Sequence, residues 1–179
     1  AASESKAFDK IHLYNDKSQQ FTFNTELSWY LIDEDANDMA GFPLNFKDKA
    51  STGLTVAQMD GKQVAFVGLA NKNLYGYELS GKPLTGWNPK NNAGILQHPV
   101  EVVLQNGKYY VTAQTDEGKV YIWNTSGKKL ASTNFNTTFT TPFFVDTKAQ
   151  PFKLKNVKST GELVSFNAKG RVGRYKLYA

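Results

Sequence analysis

The residues with types and spacing suited to chemistry are mostly acidic. Asp33-Glu34-Asp35-Ala36-Asn37-Asp38 presents oxygen atoms at alternate positions, which is how calcium loops begin. Asp33, Asp35 and Asn37 are therefore candidate calcium ligands. The pattern departs from the helix-flanked loop at its sixth position, Asp38 in place of Gly, and at its twelfth, Leu44 in place of Glu. The competing reading is a solvated acidic turn that lengthens one hairpin. Glu101, Asp116, Glu117 and Asp146 are carboxylates that different segments would have to bring together to form a hydrolytic pair. His12 and His98 are the two histidines, and neither belongs to an H-x-x-H or H-E-x-x-H pattern that would suggest zinc. A Gly-x-Ser-x-Gly nucleophile elbow is absent. Trp87, next to Asn88 and Pro89, is a candidate platform for stacking on a sugar ring; the competing reading is packing within the core or rim. With no constellation fixing a reaction, the expectation is a non-enzyme that needs no cofactor, calcium being the one candidate ion.

Such residues would have to be held by strands. The 179 residues suffice for one domain with a sizeable core. They include 12 Phe, 9 Tyr and 3 Trp, large flat side chains that favour strands over helices. No segment keeps an apolar 3.6-residue period over three turns, so no helix is expected. The absence of Cys excludes disulfides and thiolate metal sites. Net charge is +5, but 19 of the 21 basic residues are Lys, scattered over many turns. Lys169, Arg171, Arg174 and Lys176 are the one local concentration, and strand alternation does not gather them on a single face. Nucleic acid is therefore not an expected partner. No apolar run approaches the ~20 residues of a transmembrane helix. The start, Ala1-Ala2-Ser3-Glu4-Ser5, reads as a processed or excised terminus.

The strands recur. Tyr75-Gly76-Tyr77-Glu78-Leu79-Ser80-Gly81-Lys82-Pro83-Leu84 matches Tyr121-Ile122-Trp123-Asn124-Thr125-Ser126-Gly127-Lys128-Lys129-Leu130 at an offset of 46. A third copy runs from Leu163 to Val172. A degenerate one runs from Trp29 to Asp33, then through a longer turn to Gly41-Phe42-Pro43-Leu44. Upstream, the hairpin around Asp60-Gly61 is repeated 46 residues later around Asn106-Gly107; Asp-Gly and Asn-Gly supply the positive φ angles that two-residue hairpin turns demand.

A four-stranded antiparallel unit recurring every ~40–50 residues is the signature of a β-propeller blade. The expected architecture is all-β, a single propeller or partial propeller over residues 1–179. It has about four blades of four strands, at 9–47, 54–89, 99–135 and 141–177, joined by polar crossovers. A lone blade cannot bury both faces, so neighbouring blades must stack, and aromatics on both faces fit that. Recurrence of a four-strand motif argues against a β-sandwich. A closed four-bladed ring, half of a dimeric ring and a fragment of a larger propeller all fit, with the half-ring or fragment preferred because the first copy starts abruptly.

Gly41-Phe42-Pro43-Leu44, echoed by Gly81-Lys82-Pro83-Leu84-Thr85-Gly86-Trp87, resembles the D-x-x-G-x-P-L-x-G-W/F-P phrase of bacterial propeller repeats. These are the pyrroloquinoline-quinone-type and WD-like repeats of large envelope proteins in Bacteroidetes-like bacteria. Gln97-His98-Pro99-Val100 and Gly118-Lys119-Val120-Tyr121-Ile122-Trp123 are similar to closing blades of such proteins. The resemblance implies an exported, extracytoplasmic, non-catalytic propeller that binds a protein partner, scaffolds an assembly or self-associates. The quinone-dehydrogenase branch carries a disulfide, calcium ligands and catalytic acids, and this chain has no Cys. The alternatives are a carbohydrate-binding or adhesin module, with calcium at Asp33–Asp38 and glycan at Trp87, and a remnant of a hydrolase or quinone enzyme.

Overall fold

The computed structural model describes residues 6, 8–14, 19–87 and 94–177; residues 90–93 of the predicted crossover 90–98 lie outside them, as do the last two of the second predicted blade, 88 and 89. Fifteen strands form four antiparallel sheets, each built from consecutive strands. The first sheet contains β1 (Ile11–Tyr14), β2 (Gln19–Asn24), β3 (Ser28–Asp33) and β4 (Leu44–Asn45). The second contains β5 (Thr55–Met59), β6 (Lys62–Gly68) and β7 (Leu74–Glu78). The third contains β8 (Glu101–Gln105), β9 (Lys108–Gln114), β10 (Lys119–Asn124) and β11 (Lys129–Asn134). The fourth contains β12 (Phe144–Asp146), β13 (Lys153–Val157), β14 (Glu162–Asn167) and β15 (Val172–Lys176). No helix occurs among the described residues.

Alternation along each central strand decides which neighbour a side chain meets, because successive residues of a strand point to opposite faces. In β6, Ala65 and Val67 pack toward the first sheet with Trp29, while Val64 and Phe66 pack toward the third with Trp123. In β10, Val120 and Ile122 join Phe152, Leu154, Val164 and Phe166 of the fourth sheet. Three apolar clusters thus glue the sheets face to face in chain order. Each large apolar side chain so buried contributes roughly 1.5–3 kcal/mol. Among the described residues no cluster joins the fourth sheet back to the first, and the ring is not closed.

Two kinds of turn set the register. Asp60-Gly61 and Asn106-Gly107 join the first and second strands of their sheets, all four residues having φ between 51° and 75°. Seven further turns share one hydrogen-bond pattern. The Asp33 N–H donates to the Asn37 carbonyl, and the Ala36 N–H donates back to Asp33. The same pair of bonds closes the turns at Glu78–Lys82, Asn124–Lys128 and Asn167–Arg171. It also closes those at Leu69–Asn73, Thr115–Lys119 and Lys158–Glu162. The fourth residue of each has positive φ: Ala36, Gly81, Gly127, Gly170, Lys72, Gly118 and Gly161. This is a type I turn followed by a left-handed residue.

That pattern corrects two readings of the sequence. Ala36, not Gly41, is the counterpart of Gly81. In the first sheet Met39 N–H donates to Leu31 and Phe42 N–H to Met39; in the second, Leu84 N–H donates to Gly76 and Trp87 N–H to Leu84. Gly41-Phe42 therefore corresponds to Gly86-Trp87, and the echo of Gly41-Phe42-Pro43-Leu44 in Gly81-Lys82-Pro83-Leu84 is out of register by five residues. The second sheet also has three strands rather than four. Pro83 stands where a fourth strand would begin, has no N–H to donate, and makes a single bridge to Tyr77.

Candidate functional site

The second and third sheets meet at their first strands. β5 and β8 are in contact, and the Thr55 hydroxyl donates to the Val100 carbonyl. Buried amides fasten the crossovers between sheets. Asn24, fully buried at the end of β2, donates to the Thr52 carbonyl at 3.2 Å and accepts the Leu54 N–H at 3.0 Å. Gln114, at the end of β9, donates to the Thr141 carbonyl and accepts the Phe143 N–H, both at 3.1 Å. Sequence reasoning missed both residues. Each is the last residue of the second strand of its sheet, a likeness of place that no local sequence pattern marks.

Asp33, Asp35 and Asn37 sit together in the exposed β3–β4 turn. One Asp33 carboxylate oxygen accepts the backbone N–H groups of Asp35 at 3.0 Å and Asn37 at 2.8 Å; the other accepts the Asn37 side-chain amide at 3.3 Å. The backbone N–H of Asn37 is the main reason that the Asp33 carboxyl lies below its ordinary range. Asn124 caps its turn in the same way, accepting Ser126 and Lys128 N–H groups, and Asn167 accepts those of Lys169 and Arg171. The D-x-D-x-N spacing thus has a structural cause shared by sheets with no acidic run.

Trp87 is fully buried, which corrects its reading as a glycan platform. Its ring meets Phe66 and Trp123 edge to face at 4.9 and 5.8 Å, and its indole N–H donates to the Thr125 carbonyl at 2.7 Å. No face of the ring is left for a sugar.

The other titratable candidates are dispersed over separate elements. Asp116 and Glu117 lie in the β9–β10 turn, Glu117 paired with Lys119 at 3.3 Å. Asp146 ends β12 and pairs with Lys155 at 2.6 Å, which holds its carboxyl below the usual range. His12 stacks on Phe21 at 4.6 Å. Among the described residues no three His, Asp or Glu side chains gather as a metal site. Of the basic group, Lys169 lies within a turn and Arg171 closes it, while Arg174 sits over the Phe135 ring and pairs with Glu162.

Two concave features remain. His98 and Glu101 line a crevice of 20 Å³ with Pro99, Thr112, Gln114 and Phe143, room for about one water. His98 Nε2 is buried there without a hydrogen-bond partner. Burial lowers the His98 pKa and raises that of Glu101, favouring the neutral form of each. The second feature, a groove of 380 Å³, runs between the β5–β6 turn and the third sheet. Its walls include Asp60, Tyr109, Tyr110, Asn124, Thr125 and Leu130. Half-buried tyrosines and the exposed Leu130 give it an apolar floor with polar edges, the composition of protein-binding surfaces.

No protein-family model and no curated protein matches the sequence. Solved structures do. The chain superposes on BBS1N, crystallised in complex with ARL6DN, with a TM-score of 0.64 at 9% identity, covering 90% of this chain and 50% of that one. It superposes on BamB from Moraxella catarrhalis with a TM-score of 0.58 at 11% identity, covering 93% and 50%. A chain of an active polycomb repressive complex 2 gives 0.60 at 9% identity, covering 93% and 38%. At such identities the likeness shows the fold alone. BBS1N and BamB are β-propeller proteins, and the four sheets here are blades of that fold. The chain spans half or less of the length of the chains it matches.

Proposed function

We propose that the chain is a non-catalytic β-propeller module that binds a protein partner or scaffolds an assembly, in exported envelope proteins of the kind its repeats resemble. The observation that carries this reading is the groove lined by Tyr109, Tyr110 and Leu130. Its size suits an extended peptide or a loop, and tyrosine gives large contact area at small entropic cost. BBS1N, a propeller neighbour, was crystallised with a protein partner, and it illustrates that the fold serves this use. No helix among the described residues is long and apolar enough to cross a membrane. The extracytoplasmic location rests on the repeat resemblance. No cofactor enters the role.

Photo-crosslinking in the native host tests it. A crosslinker at Leu130 is expected to yield a discrete protein adduct, one at Asn136 in the third-to-fourth-sheet crossover is not, and Tyr109→Ala should reduce the Leu130 adduct several-fold. Equal adducts at both positions, or none at Leu130, would refute the groove as a binding surface.

A further inference from the structure

Antiparallel strands alternate in direction, so in each blade the turns after the first and third strands lie on one rim and the turn after the second lies on the other. The Tyr109–Leu130 groove shows this convergence: Asp60 and Gly107 come from turns after first strands, Asn124 and Thr125 from a turn after a third. Charge is unevenly divided between the rims. On the groove rim the residue that closes the capped turn is Lys82, Lys128 and Arg171 in three successive blades. Directly after the two-residue hairpins stand Lys62 and Lys108. The carboxylates in these turns of the second and third blades are Asp60 and Glu78, and Lys62 neutralises Glu78 at 3.0 Å.

The turns of the opposite rim are balanced. In the second, third and fourth blades they carry Lys72, Lys119 and Lys158 against Asp116, Glu117 and Glu162. Two of these cations are paired, Lys119 with Glu117 at 3.3 Å and Lys158 with Glu162 at 2.7 Å. On the groove rim Lys82, Lys108, Lys128 and Arg171 are exposed and make no ion pair among the described residues. The fold does not demand cations there, because the same capped turn in the first blade reads Asp33-Glu34-Asp35-Ala36-Asn37. The groove therefore lies among positive charges that nothing within the described chain neutralises.

Resting on the groove reading, we infer that the occupant of the groove is an acidic peptide segment. A large apolar or aromatic side chain of that segment seats against Tyr109 and Leu130, and carboxylates beside it pair with Lys108 and Lys128. Lys108 is itself in the groove wall, and Lys128 stands two residues before Leu130. Exposed ion pairs contribute little each and are screened by salt, whereas a buried aromatic anchor carries much of a binding energy. The anchor thus sets the affinity, and the cations select the sign of the partner's charge. A nucleic acid or an anionic lipid surface fits less well. Asp60 in the wall repels a continuous row of phosphates, and the cations nearest the groove are lysines, without the guanidinium fork that matches phosphate.

Fluorescence anisotropy on the purified chain with three short labelled peptides tests it. One has glutamates around a central phenylalanine, one has glutamines around the phenylalanine, and one has glutamates around an alanine. The first should saturate and bind about tenfold more tightly than the second at low salt, roughly what two exposed ion pairs supply. That advantage should vanish between about 0.05 and 0.5 M salt. Lys108→Glu with Lys128→Glu should abolish the preference for glutamate with an unchanged circular dichroism spectrum, and Tyr109→Ala should weaken both phenylalanine peptides several-fold. Equal binding of the glutamate and glutamine peptides, with Tyr109→Ala weakening both, would overturn the acidic partner and leave the groove reading standing. An alanine peptide that binds as tightly as the first would also overturn it, as would an acidic peptide that fails to saturate by about 1 mM. Tighter binding of oligothymidylate or of phosphatidylserine vesicles than of the acidic peptide would replace it with a general polyanion surface. Crosslinking at Leu130 reports on the groove itself, independently of these outcomes.

Discussion

The indole N–H of Trp87 and the carbonyl of Thr125, 2.7 Å apart, tie the second blade to the third. Trp87 follows Pro83, where no fourth strand forms, and its ring packs between the second and third blades against Phe66 and Trp123. Packing and one interblade hydrogen bond are thus concentrated in one side chain. Trp87→Ala should cost about 3–5 kcal/mol, lowering the melting temperature by roughly 2–4 °C for each kcal/mol in a domain of this size. Trp87→Phe keeps much of the packing and loses the bond, at about 1 kcal/mol. Differential scanning calorimetry separates the two. Equal small losses would mean that the ring is not the seam's anchor.

Just before Trp87, the Gly86 backbone is packed against the Ser126–Gly127 turn. A Cβ on Gly86 would run into the Ser126 carbonyl, and a Cβ on Gly127 would run into the Gly86 carbonyl. Both also have positive φ, 86° and 77°. Gly107 has positive φ, but a Cβ there would meet nothing within 4 Å. Gly107→Ala should therefore cost about 1–2 kcal/mol, the left-handed penalty alone. Gly86→Ala and Gly127→Ala should cost clearly more, because backbone on the neighbouring blade must move. Urea denaturation that placed all three variants together would refute a close-packed seam.

The fold was legible because its hairpins are written in strong local chemistry. Asp60-Gly61 and Asn106-Gly107 declare their turns, and the segments that start at Tyr75 and Tyr121 share the Tyr, the Ser-Gly-Lys turn and the closing Leu. The first blade was harder. Its left-handed turn position is Ala36, so no glycine marks it, and Gly41 five residues on drew the alignment to the wrong place. Lys72 hides a left-handed position in the second blade for the same reason. The three-stranded second blade follows from Pro83, visible in the sequence but there read as part of a repeat phrase. The candidate site was less legible. The Tyr109–Leu130 groove is assembled from turns and strands of two blades, and no local pattern predicts that convergence. Asn24 and Gln114 differ in length and type, so their common task shows only in three dimensions.

Asp33 offers a test between a turn cap and a calcium ligand. Asn does the same capping at 124 and 167. Asp33→Asn should accordingly leave the melting temperature nearly unchanged, whereas Asp33→Ala should cost about 1 kcal/mol, in line with lost side-chain caps elsewhere. With the cap as its role, 5 mM calcium and a chelator should give the wild type the same melting temperature. A calcium-dependent rise that Asp33→Asn abolishes would instead make the carboxylate a ligand.

His98 makes stability depend on pH with a definite sign. Burial disfavours its imidazolium, so its pKa in the folded chain lies below the ordinary 6.5. A group depressed in this way contributes its full stability above pH 6.5 and loses it as the pH falls toward its folded value. Glu101 in the same crevice acts in the other direction. Burial raises its pKa above 4.5, so its contribution is complete below that value and is lost as pH rises through the folded pKa. On acidification the His98 contribution lowers stability while that of Glu101 raises it, and the two variants separate them. His98→Gln has no proton to gain and should flatten that limb. Glu101→Gln should leave the His98 limb in place while removing the loss that accompanies ionisation of the carboxyl. Urea midpoints at half-unit steps from pH 4 to 8 read both effects. A slope between pH 7 and 5.5 that is the same in the wild type and in His98→Gln would mean that the imidazole is not what the acid limb reports.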